Sequence, residues 1–452
     1  MVAVKRQTLI YRVEILLKTL KSVFASKTFQ VYFRNSSWMM AEQILRIVSA
    51  VFVGIYIARY LGPEQFGVLS YVLAVAAFLM AVSRMGMDAV LVRELVDNPQ
   101  RHQHLMGTAF WIMTLVGVAC YLMLLGAVYI LEEKSDVKAY LAVISISCVF
   151  TGFLTVDYYF QSKVKAKFSA VCKSIVLLLM SISKLVLIWS GSPLVWFVYA
   201  GLFDNVLLSL FLYIMYTGSR QFSFFGFFDV STAKRILISA WPMMLSAISV
   251  LIYMRIDQVM IKNMLGMHEV GIYSAATRIY EAWMTLPFVI SVSLLPLIIK
   301  SKNNSVDDYQ RMLVRLFRVL IYLSVAAALT VSIFSEWLMV FAFGAQFAES
   351  APVVGVVMWT SVFAAVGSVS ARYFNVEHME IKFALRTALA AILNVALNFL
   401  LIPYYGIMGA AVSTLVCTFF ANYLMDWFDK DLRDLLRIKH RAVFGNLFWW
   451  KV

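Results

Sequence analysis

Charged residues are scarce in this sequence. Aspartate, glutamate, lysine and arginine together make up 14% of it, whereas apolar residues make up 62%. Soluble domains do not have this balance, which excludes soluble enzymes and soluble binding modules. Cysteine is also rare, with four residues in 452, and all four lie in apolar segments. We expect them to be small buried side chains rather than disulfides or metal ligands.

The motifs of common phosphate-binding and hydrolytic sites are missing as well. The sequence has no Gly-Lys-Ser/Thr, no His-Glu-x-x-His and no Gly-x-Ser-x-Gly. Residues 1–35 are studded with charge and show no cleavable signal peptide. These absences disfavour an ATP-driven pump and a classical hydrolase. We predict a protein that is not an enzyme and that holds no metal or organic cofactor.

Long apolar runs dominate what is present, and the mean hydropathy is +0.81. Many runs are long enough to cross a bilayer, and each must be helical because lipid offers the backbone no other partner. We predict an all-α polytopic membrane protein with about twelve transmembrane helices. The predicted spans are 36–60, 66–91, 107–131, 139–160, 169–190, 194–216, 238–262, 270–299, 314–334, 351–375, 387–402 and 406–428.

The spans fall into two groups of six. A basic amphipathic segment before them is predicted to lie on the membrane surface, and the basic tail ends in Phe448-Trp449-Trp450, an interfacial anchor. The predicted parts are 1–35 (amphipathic segment), 36–216 (N-terminal lobe), 217–236 (polar linker), 237–428 (C-terminal lobe) and 429–452 (basic tail).

Positive charge is distributed unequally between the two sides of this topology. With the N-terminus inside, the inner segments hold 29 lysines and arginines and the outer side holds 4. The positive-inside rule then places both termini in the cytoplasm. The same asymmetry accounts for the net charge of +14 without a nucleic acid partner.

A repeated stretch links the two halves. Residues 61–70, Leu-Gly-Pro-Glu-Gln-Phe-Gly-Val-Leu-Ser, return at 265–274 as Leu-Gly-Met-His-Glu-Val-Gly-Ile-Tyr-Ser. Gly62 suits a helix end and Pro63 the first position of a helix, so each copy predicts a tight turn between two helices. A repeat of this size is typical of a transporter built from two like halves.

Several cations fall within the predicted spans, where each costs roughly 2.5–3.5 kcal/mol. Glu42 and Arg46 are spaced to pair along one helix, and so are Arg278 and Glu281. Arg372 lies near the inner end of its span, where snorkelling suffices. The complete set is Arg46, Arg84, Lys184, Arg255, Arg278 and Arg372.

Arg255 is the strongest candidate for contacting an anion. Asp257 is two residues away, roughly 200° around the helix, so Arg255 has no partner in its own helix. Lys184 also lacks one, although Asp204 on the following span is within reach. Guanidinium groups suit phosphate because their planar fork donates two hydrogen bonds. We predict a cavity that favours a doubly anionic head group, with Asn394 and Asn398 available for helix–helix hydrogen bonds or for sugar contact.

Several stretches resemble bacterial polysaccharide flippases, the Wzx-type O-antigen transporters. Residues 59–71 are similar to the first hairpin of that family, 86–95 to the end of its second helix and 157–161 to the exit of its fourth. Residues 255–261 leading into 271–276 resemble its seventh-to-eighth helix segment, and 401–411 its last hairpin.

The resemblance implies the MATE-like fold of the multidrug/oligosaccharidyl-lipid/polysaccharide exporter superfamily, with two six-helix lobes around a central cavity. It also implies an undecaprenyl-diphosphate-linked oligosaccharide as substrate, moved from the cytoplasmic to the periplasmic leaflet of the bacterial inner membrane. Membrane lipids, and other polysaccharide-assembly membrane proteins, would be its partners. The implied coupling ion is a proton or sodium.

On this hypothesis Arg46, Arg255, Arg278 and Lys184 hold the diphosphate. Glu42, Asp257 or Glu281 binds the coupling ion, and Asn394 and Asn398 touch sugar. The alternatives are a multidrug cation antiporter of the same superfamily, which would need an acid-dominated cavity, and a membrane-embedded polymerase or ligase acting on the same glycans. Short outer segments, the longest at 132–138, argue against the latter.

Overall fold

The described residues form helices joined by short turns. The structure is a computed structural model that describes residues 27–132, 134–219 and 223–445, and no β-strand occurs in these ranges. Apolar sequence of this length folds as helix because each backbone group then finds its partner within the segment. The α-helices are α1 (Lys27–Arg84), α2 (Met87–Asp97), α3 (His102–Leu131), α4 (Ser135–Ser145), α5 (Leu154–Ser162), α6 (Ala166–Trp189), α7 (Leu194–Gly218), α8 (Val230–Met264), α9 (Met267–Ser293), α10 (Leu295–Asn304), α11 (Val306–Ile333), α12 (Ser335–Phe343), α13 (Ser350–Val376), α14 (Glu380–Phe419), α15 (Met425–Phe428) and α16 (Arg433–Phe444).

Ten segments in the described ranges are long and apolar enough to cross a membrane. Two of them, Ser37–Arg84 with 48 residues and Glu380–Phe428 with 49, are each long enough for two crossings and are divided by a non-helical glycine. The division lies at Gly62 (φ 72°, ψ 172°) in the first and at Gly406 (φ 58°, ψ −143°) in the second. Counting both parts gives twelve crossings among the described residues, which confirms the predicted helix number.

The repeated stretch forms a pair of equivalent turns. Gly62 separates the two halves of α1, and Gly266, with φ of 110°, separates α8 from α9. Glycine adopts these positive φ angles without the clash that a Cβ would cause. Both predicted helical hairpins are therefore confirmed. We call the end of the molecule that carries Gly62 and Gly266 the hairpin end, and the opposite end, which carries α16, the basic end.

The two hairpins touch each other at their first turns. A Cβ added to Gly67 would lie 1.8 Å from the carbonyl oxygen of Met267, and one added to Gly271 would lie 1.9 Å from that of Pro63. Only the absence of side chains at Gly67 and Gly271 allows this backbone approach. Since Gly67 belongs to the first half of the chain and Gly271 to the second, the lobes meet at the hairpin end.

Polar contacts reinforce this meeting. Lys262 Nζ lies 2.7 Å from Glu132 Oε2 and 5.3 Å from the ring centroid of Tyr71. Gln346 Nε2 donates a hydrogen bond of 2.8 Å to the carbonyl oxygen of Arg59. Each contact joins a residue before the linker to one after it, so both lobes contribute to the closed hairpin end.

Helix α8 packs against both lobes. Its first turns bury Ile236 and Ala240 in a cluster with α2 and α3, and Arg235 Nη2 lies 3.1 Å from Glu94 Oε2. Its later part packs mainly on α14. The helix begins at a cap in which Asp229 accepts hydrogen bonds from the backbone N–H groups of Ser231 and Thr232. Because one continuous helix contacts both lobes, it connects them mechanically.

The C-terminal part of the described chain docks onto the second lobe. Leu435, Ile438 and Ala442 on α16 are buried, and α16 packs against α11. Arg318 donates hydrogen bonds to the carbonyl oxygens of Ala442 and Arg441, which satisfies the end of α16. The predicted anchor Phe448-Trp449-Trp450 and most of the predicted amphipathic segment, residues 1–26, lie outside the described residues. The domain boundaries stay a prediction.

Candidate functional site

A charged pair joins α8 to α9, and each of its two residues lies near the middle of its membrane-spanning segment. Arg255 Nη1 is 2.9 Å from Glu281 Oε1, and the two side chains are 28% and 24% exposed. As the sequence indicated, Arg255 has no acid partner on its own helix within the described residues, and its partner comes instead from the next helix. The turn at Gly266 folds α9 back along α8, so a residue on the returning helix reaches it.

Arg278 is the unpaired cation of this region. Its predicted pairing with Glu281 is wrong, because the Glu281 carboxylate contacts Arg255 instead, and no carboxylate of the described chain lies within 4 Å of Arg278. The Arg278 guanidinium extends towards α1, where a Cβ added to Gly54 would lie 3.9 Å from Cζ. Arg278 also interacts electrostatically with Glu281 and Arg255. We call Arg255, Arg278 and Glu281 the mid-depth cluster. It carries one excess positive charge and adjoins both lobes.

Arg46 and Lys184 lie apart from the mid-depth cluster. Arg46 Nε is 3.4 Å from Glu42 Oε1, which confirms the predicted pair, and the Arg46 guanidinium also donates to Gln43. Glu42 is buried, whereas the Arg46 side chain is 55% exposed. Eight residues, or about 12 Å of helix, separate Arg46 from the position beside Arg278. The structure therefore does not bring Arg46 to the cluster.

Lys184 forms the pair that the sequence left open. Its Nζ lies 2.6 Å from Asp204 Oδ2, with 22% of the lysine side chain and 35% of the aspartate side chain exposed. Both residues belong to the first lobe, on α6 and α7. The charge of Lys184 is thus matched within its own lobe, and its predicted role in phosphate binding stays a prediction.

Asp257 lies at the junction of α8, α9 and α14. It is 3% exposed and accepts hydrogen bonds from Tyr273 Oη at 2.6 Å, Asn398 Nδ2 at 2.5 Å and Thr414 Oγ1 at 2.7 Å. No lysine or arginine of the described chain lies within 4 Å of its carboxylate. Its charge is therefore balanced by hydrogen bonds alone. Tyr273 and Thr414 were not predicted, because neither belongs to a recognisable spacing with Asp257.

Asn394 and Asn398 lie in a group of hydrogen bonds between helices, which is one of the two roles that the sequence predicted for them. Both are completely buried, and Asn398 Nδ2 lies 3.4 Å from Asn394 Oδ1 as well as contacting Asp257. In this arrangement neither side chain is accessible to a sugar. The group instead surrounds one buried carboxylate with hydrogen-bond donors from two hydroxyls and one amide.

A second set of ligand-type side chains lies on the surface at the hairpin end. Ligand atoms of His268, Glu269 and Glu349 all lie within 4.8 Å of one another, and His268 Nε2 is 3.8 Å from Glu349 Oε2. The histidine and Glu349 are exposed. His268 lies ten residues before Arg278 on α9, about 15 Å along the helix, so this set lies outside the site.

An apolar groove of about 780 Å³ opens between α8 and α14. Leu245, Ile252, Ala391, Ile392 and Phe399 are among its lining residues. On α8 the lining of the groove ends at Ile252, three residues before Arg255 in the sequence. Its wall offers hydrocarbon side chains and almost no polar group.

Comparison with known sequences decides the family. Residues 32–303, more than half of the chain, match the family described as polysaccharide biosynthesis protein. The chain belongs to that family. This confirms the resemblance noted in the sequence. Among curated proteins, none matches the sequence.

Solved structures show the same fold at low sequence identity. The inward closed conformation of the lipid II flippase MurJ matches with a TM-score of 0.70 and 13% identity, over 91% of this chain and 90% of that one. An inward-facing multidrug resistance MATE family transporter of the MOP superfamily matches with a TM-score of 0.69 and 15% identity, over 87% and 94%. An outward-facing MATE family transporter gives 0.59 and 16% identity, over 92% and 97%. The predicted MATE-like fold is confirmed.

In this member of the family the charges thus form two separate centres. In the mid-depth cluster, the Arg278 guanidinium has no carboxylate of the described chain within 4 Å and can accept an anion. In the Asp257 centre, the carboxylate has no lysine or arginine of the described chain within 4 Å and can accept a proton or a small cation. The two centres share α8 and α9, and Arg255 and Asp257 are two residues apart.

Proposed function

We propose that this protein is a flippase that moves an undecaprenyl-diphosphate-linked oligosaccharide from the cytoplasmic to the periplasmic leaflet of the bacterial inner membrane by alternating access. The observation that carries the proposal is the position of Arg278. It is a guanidinium in the middle of a span, without a carboxylate partner in the described chain, and it reaches from one lobe to the helix of the other.

An anionic substrate explains why such a residue is present. A cation at that depth costs roughly 2.5–3.5 kcal/mol unless something compensates it. The diphosphate of a lipid carrier would supply the missing negative charge, and the planar fork of arginine donates two parallel hydrogen bonds to phosphate oxygens. Arg255 would also donate to the diphosphate while it keeps part of its contact with Glu281. The apolar groove between α8 and α14 is suited to the hydrocarbon chain of the carrier.

The closed hairpin end supports a state that is open towards the cytoplasm. The lobes touch at Gly67 and Gly271, and Lys262 pairs with Glu132 at the same end. Alternating access would separate these contacts and close the basic end, with the lobes rocking about the hairpins.

Asp257 is the residue best suited to couple transport to an ion. Glu42 and Glu281, the other two predicted candidates, each contact an arginine, whereas the carboxylate of Asp257 accepts hydrogen bonds and has no arginine or lysine of the described chain within 4 Å. Binding of a proton or Na⁺ there would change the contacts among α8, α9 and α14. These helices carry the mid-depth cluster and the groove, so the ion and the substrate would act on the same elements.

The alternative of a multidrug cation antiporter fits the charges less well. Two of the predicted in-span acids are neutralised by arginine, and the excess charge of the mid-depth cluster is positive. A cationic drug would be repelled from it.

Leaflet-resolved detection of the lipid-linked oligosaccharide in a deletion strain tests the function directly. A membrane-impermeant reagent that labels exposed glycan should find little labelled intermediate in spheroplasts of the deletion strain, while total intermediate rises. Normal labelling, together with raised sensitivity to cationic dyes, would replace the flippase by the antiporter. Accumulation of single, fully labelled repeat units would instead favour a polymerase or ligase.

A further inference from the structure

Arg372 on α13 is a second cation whose charge is not matched. Its side chain is half-buried near the basic end, and its guanidinium lies 5.9 Å from the ring centroid of Phe288 on α9. Its Nε is buried and has no hydrogen-bond partner among the residues that the structure describes. Within the described ranges no carboxylate lies within 4 Å of it. The sequence suggested that the Arg372 side chain extends to the membrane surface. Its buried Nε shows that the guanidinium does not reach the surface completely.

The neighbouring cations of the second lobe make Arg372 an exception. The nearest acid along the chain, Glu377, is held by Lys302 at 2.9 Å. Buried Arg386 lies 2.9 Å from Asp426, and Lys439 contacts the same carboxylate. Among the residues that the structure describes, the fold thus supplies an acid to each of these cations and none to Arg372. The ring of Phe288 compensates the Arg372 guanidinium only through a cation–π contact, which is weaker than an ion pair with a carboxylate.

Arg372 also lies beside α9, the helix that carries Arg278. Phe288, over which its guanidinium lies, is ten residues beyond Arg278 on α9, about 15 Å along the helix towards the basic end and about 80° around it. Two guanidiniums without an acid partner in the described ranges therefore lie on or beside α9 at two depths. The closed hairpin end leaves the basic end as the side from which a ligand would approach.

We propose that Arg372 forms an entry site for a lipid-linked diphosphate, which binds there before it moves to Arg278. This inference rests on the proposed function and adds a binding step to it. The chemistry is that of a phosphate anion held by a guanidinium, with the open face of Phe288, which is 45% exposed, providing an adjacent apolar surface. The same chemistry would attract an anionic phospholipid head group, so the test must separate the two sources.

The test is equilibrium binding of undecaprenyl diphosphate to the full-length protein in phosphatidylcholine nanodiscs. Arg372→Gln should raise the Kd by roughly tenfold or more, the range expected for a hydrogen-bonded charge. Arg372→Lys keeps a cation over Phe288 and should fold normally, with a smaller loss because the two-pronged contact is gone. Arg315→Gln, which removes the same charge from an exposed position on α11, is the matched control and should change Kd little.

Binding by Arg372→Gln and Arg372→Lys at the wild-type Kd would overturn the entry site while leaving the flippase intact. An unfolded Arg372→Gln with wild-type binding by Arg372→Lys would make the residue structural and also overturn it. Equal competition by phosphatidylglycerol would assign the site to lipid head groups in general. Failure of the wild-type protein to bind the probe would contradict the proposed function itself.

Discussion

Glu281 determines which arginine of the mid-depth cluster is free. Sequence spacing suggested that it neutralises Arg278 within α9, yet it contacts Arg255 across the hairpin at 2.9 Å. Spacing along one helix identifies partners three or four residues away and is blind to a neighbouring helix. The same reasoning succeeded for Glu42 and Arg46, whose acid is buried beside the arginine on one helix. Pairing in a bundle is decided by packing as much as by periodicity.

Asp257→Asn is expected to remove ion coupling while keeping the fold. Asparagine has the same shape, and its oxygen can still accept from Tyr273 or Thr414, but it cannot bind a proton at neutral pH. Flipping by the variant in proteoliposomes should not respond to an imposed proton or sodium gradient.

Asp204→Asn is the control for this prediction, because Asp204 is an in-span acid that pairs with Lys184. It should retain the gradient response of the wild type. A gradient response in Asp257→Asn equal to that of the wild type would remove Asp257 from the coupling mechanism.

Among the secondary-structure elements, the helices were predictable and their docking was not. Runs of apolar residues defined the twelve crossings, and the two Gly-Pro and Gly-Met sequences located the turns at Gly62 and Gly266. The attachment of α16 could not be predicted, because it depends on Asp426 reaching two cations, one on α14 and one on α16. Such a triad brings together residues 386, 426 and 439, whose spacing carries no recognisable pattern.

Asp426→Asn is expected to detach or unfold α16. The Asp426 carboxylate is completely buried and contacts Arg386 and Lys439, so its loss leaves two buried cations unpaired. Breaking a buried pair typically costs about 3–5 kcal/mol. Lys439→Met should cost less, since Asp426 keeps Arg386. Thermal unfolding of the purified variants measures both, and a larger loss for Lys439→Met would contradict this order.

Asp229 makes the start of α8 sensitive to acid. Hydrogen bonds from Thr232 and Ser231 hold the pKa of Asp229 at about 2. Since this is below the value near 4 of an unfolded aspartate, the cap contributes its full stability above about pH 4 and loses it as the pH falls towards 2. The difference in melting temperature between wild type and Asp229→Ala should therefore shrink over that range. A difference independent of pH would show that the carboxylate charge is not involved.

At the scale of the whole molecule, the two lobes meet through glycines. The repeat at 61–70 and 265–274 indicated the two hairpins, but it did not indicate that they touch. That contact depends on Gly67 and Gly271 facing each other, which follows from the packing of α1 against α9.

Gly67→Ala is expected to open the hairpin end and abolish transport. Its Cβ would lie 1.8 Å from the Met267 carbonyl oxygen, so the backbones must separate. Lys262 Nζ and Glu132 Oε2 lie 2.7 Å apart across the lobes, so cysteines at these two positions should be joined efficiently by a bifunctional thiol reagent in the parent protein, and several-fold less with Gly67→Ala.

Gly126→Ala is the matched control for this opening, because nothing lies within 4 Å of the added Cβ. It should leave crosslinking and transport unchanged. Efficient crosslinking in Gly67→Ala would mean that the lobes close without this backbone approach.

Neutralising Arg278 tests the proposed transport mechanism most directly. Its guanidinium lies between the lobes without a carboxylate of the described chain within 4 Å, and it is the group proposed to bind the diphosphate. In a deletion strain complemented with Arg278→Gln, the lipid-linked oligosaccharide should accumulate in the cytoplasmic leaflet, as measured with a membrane-impermeant label, while protein abundance stays normal. Labelling at the wild-type level in that strain would show that transport does not need the charge and would contradict the proposed mechanism.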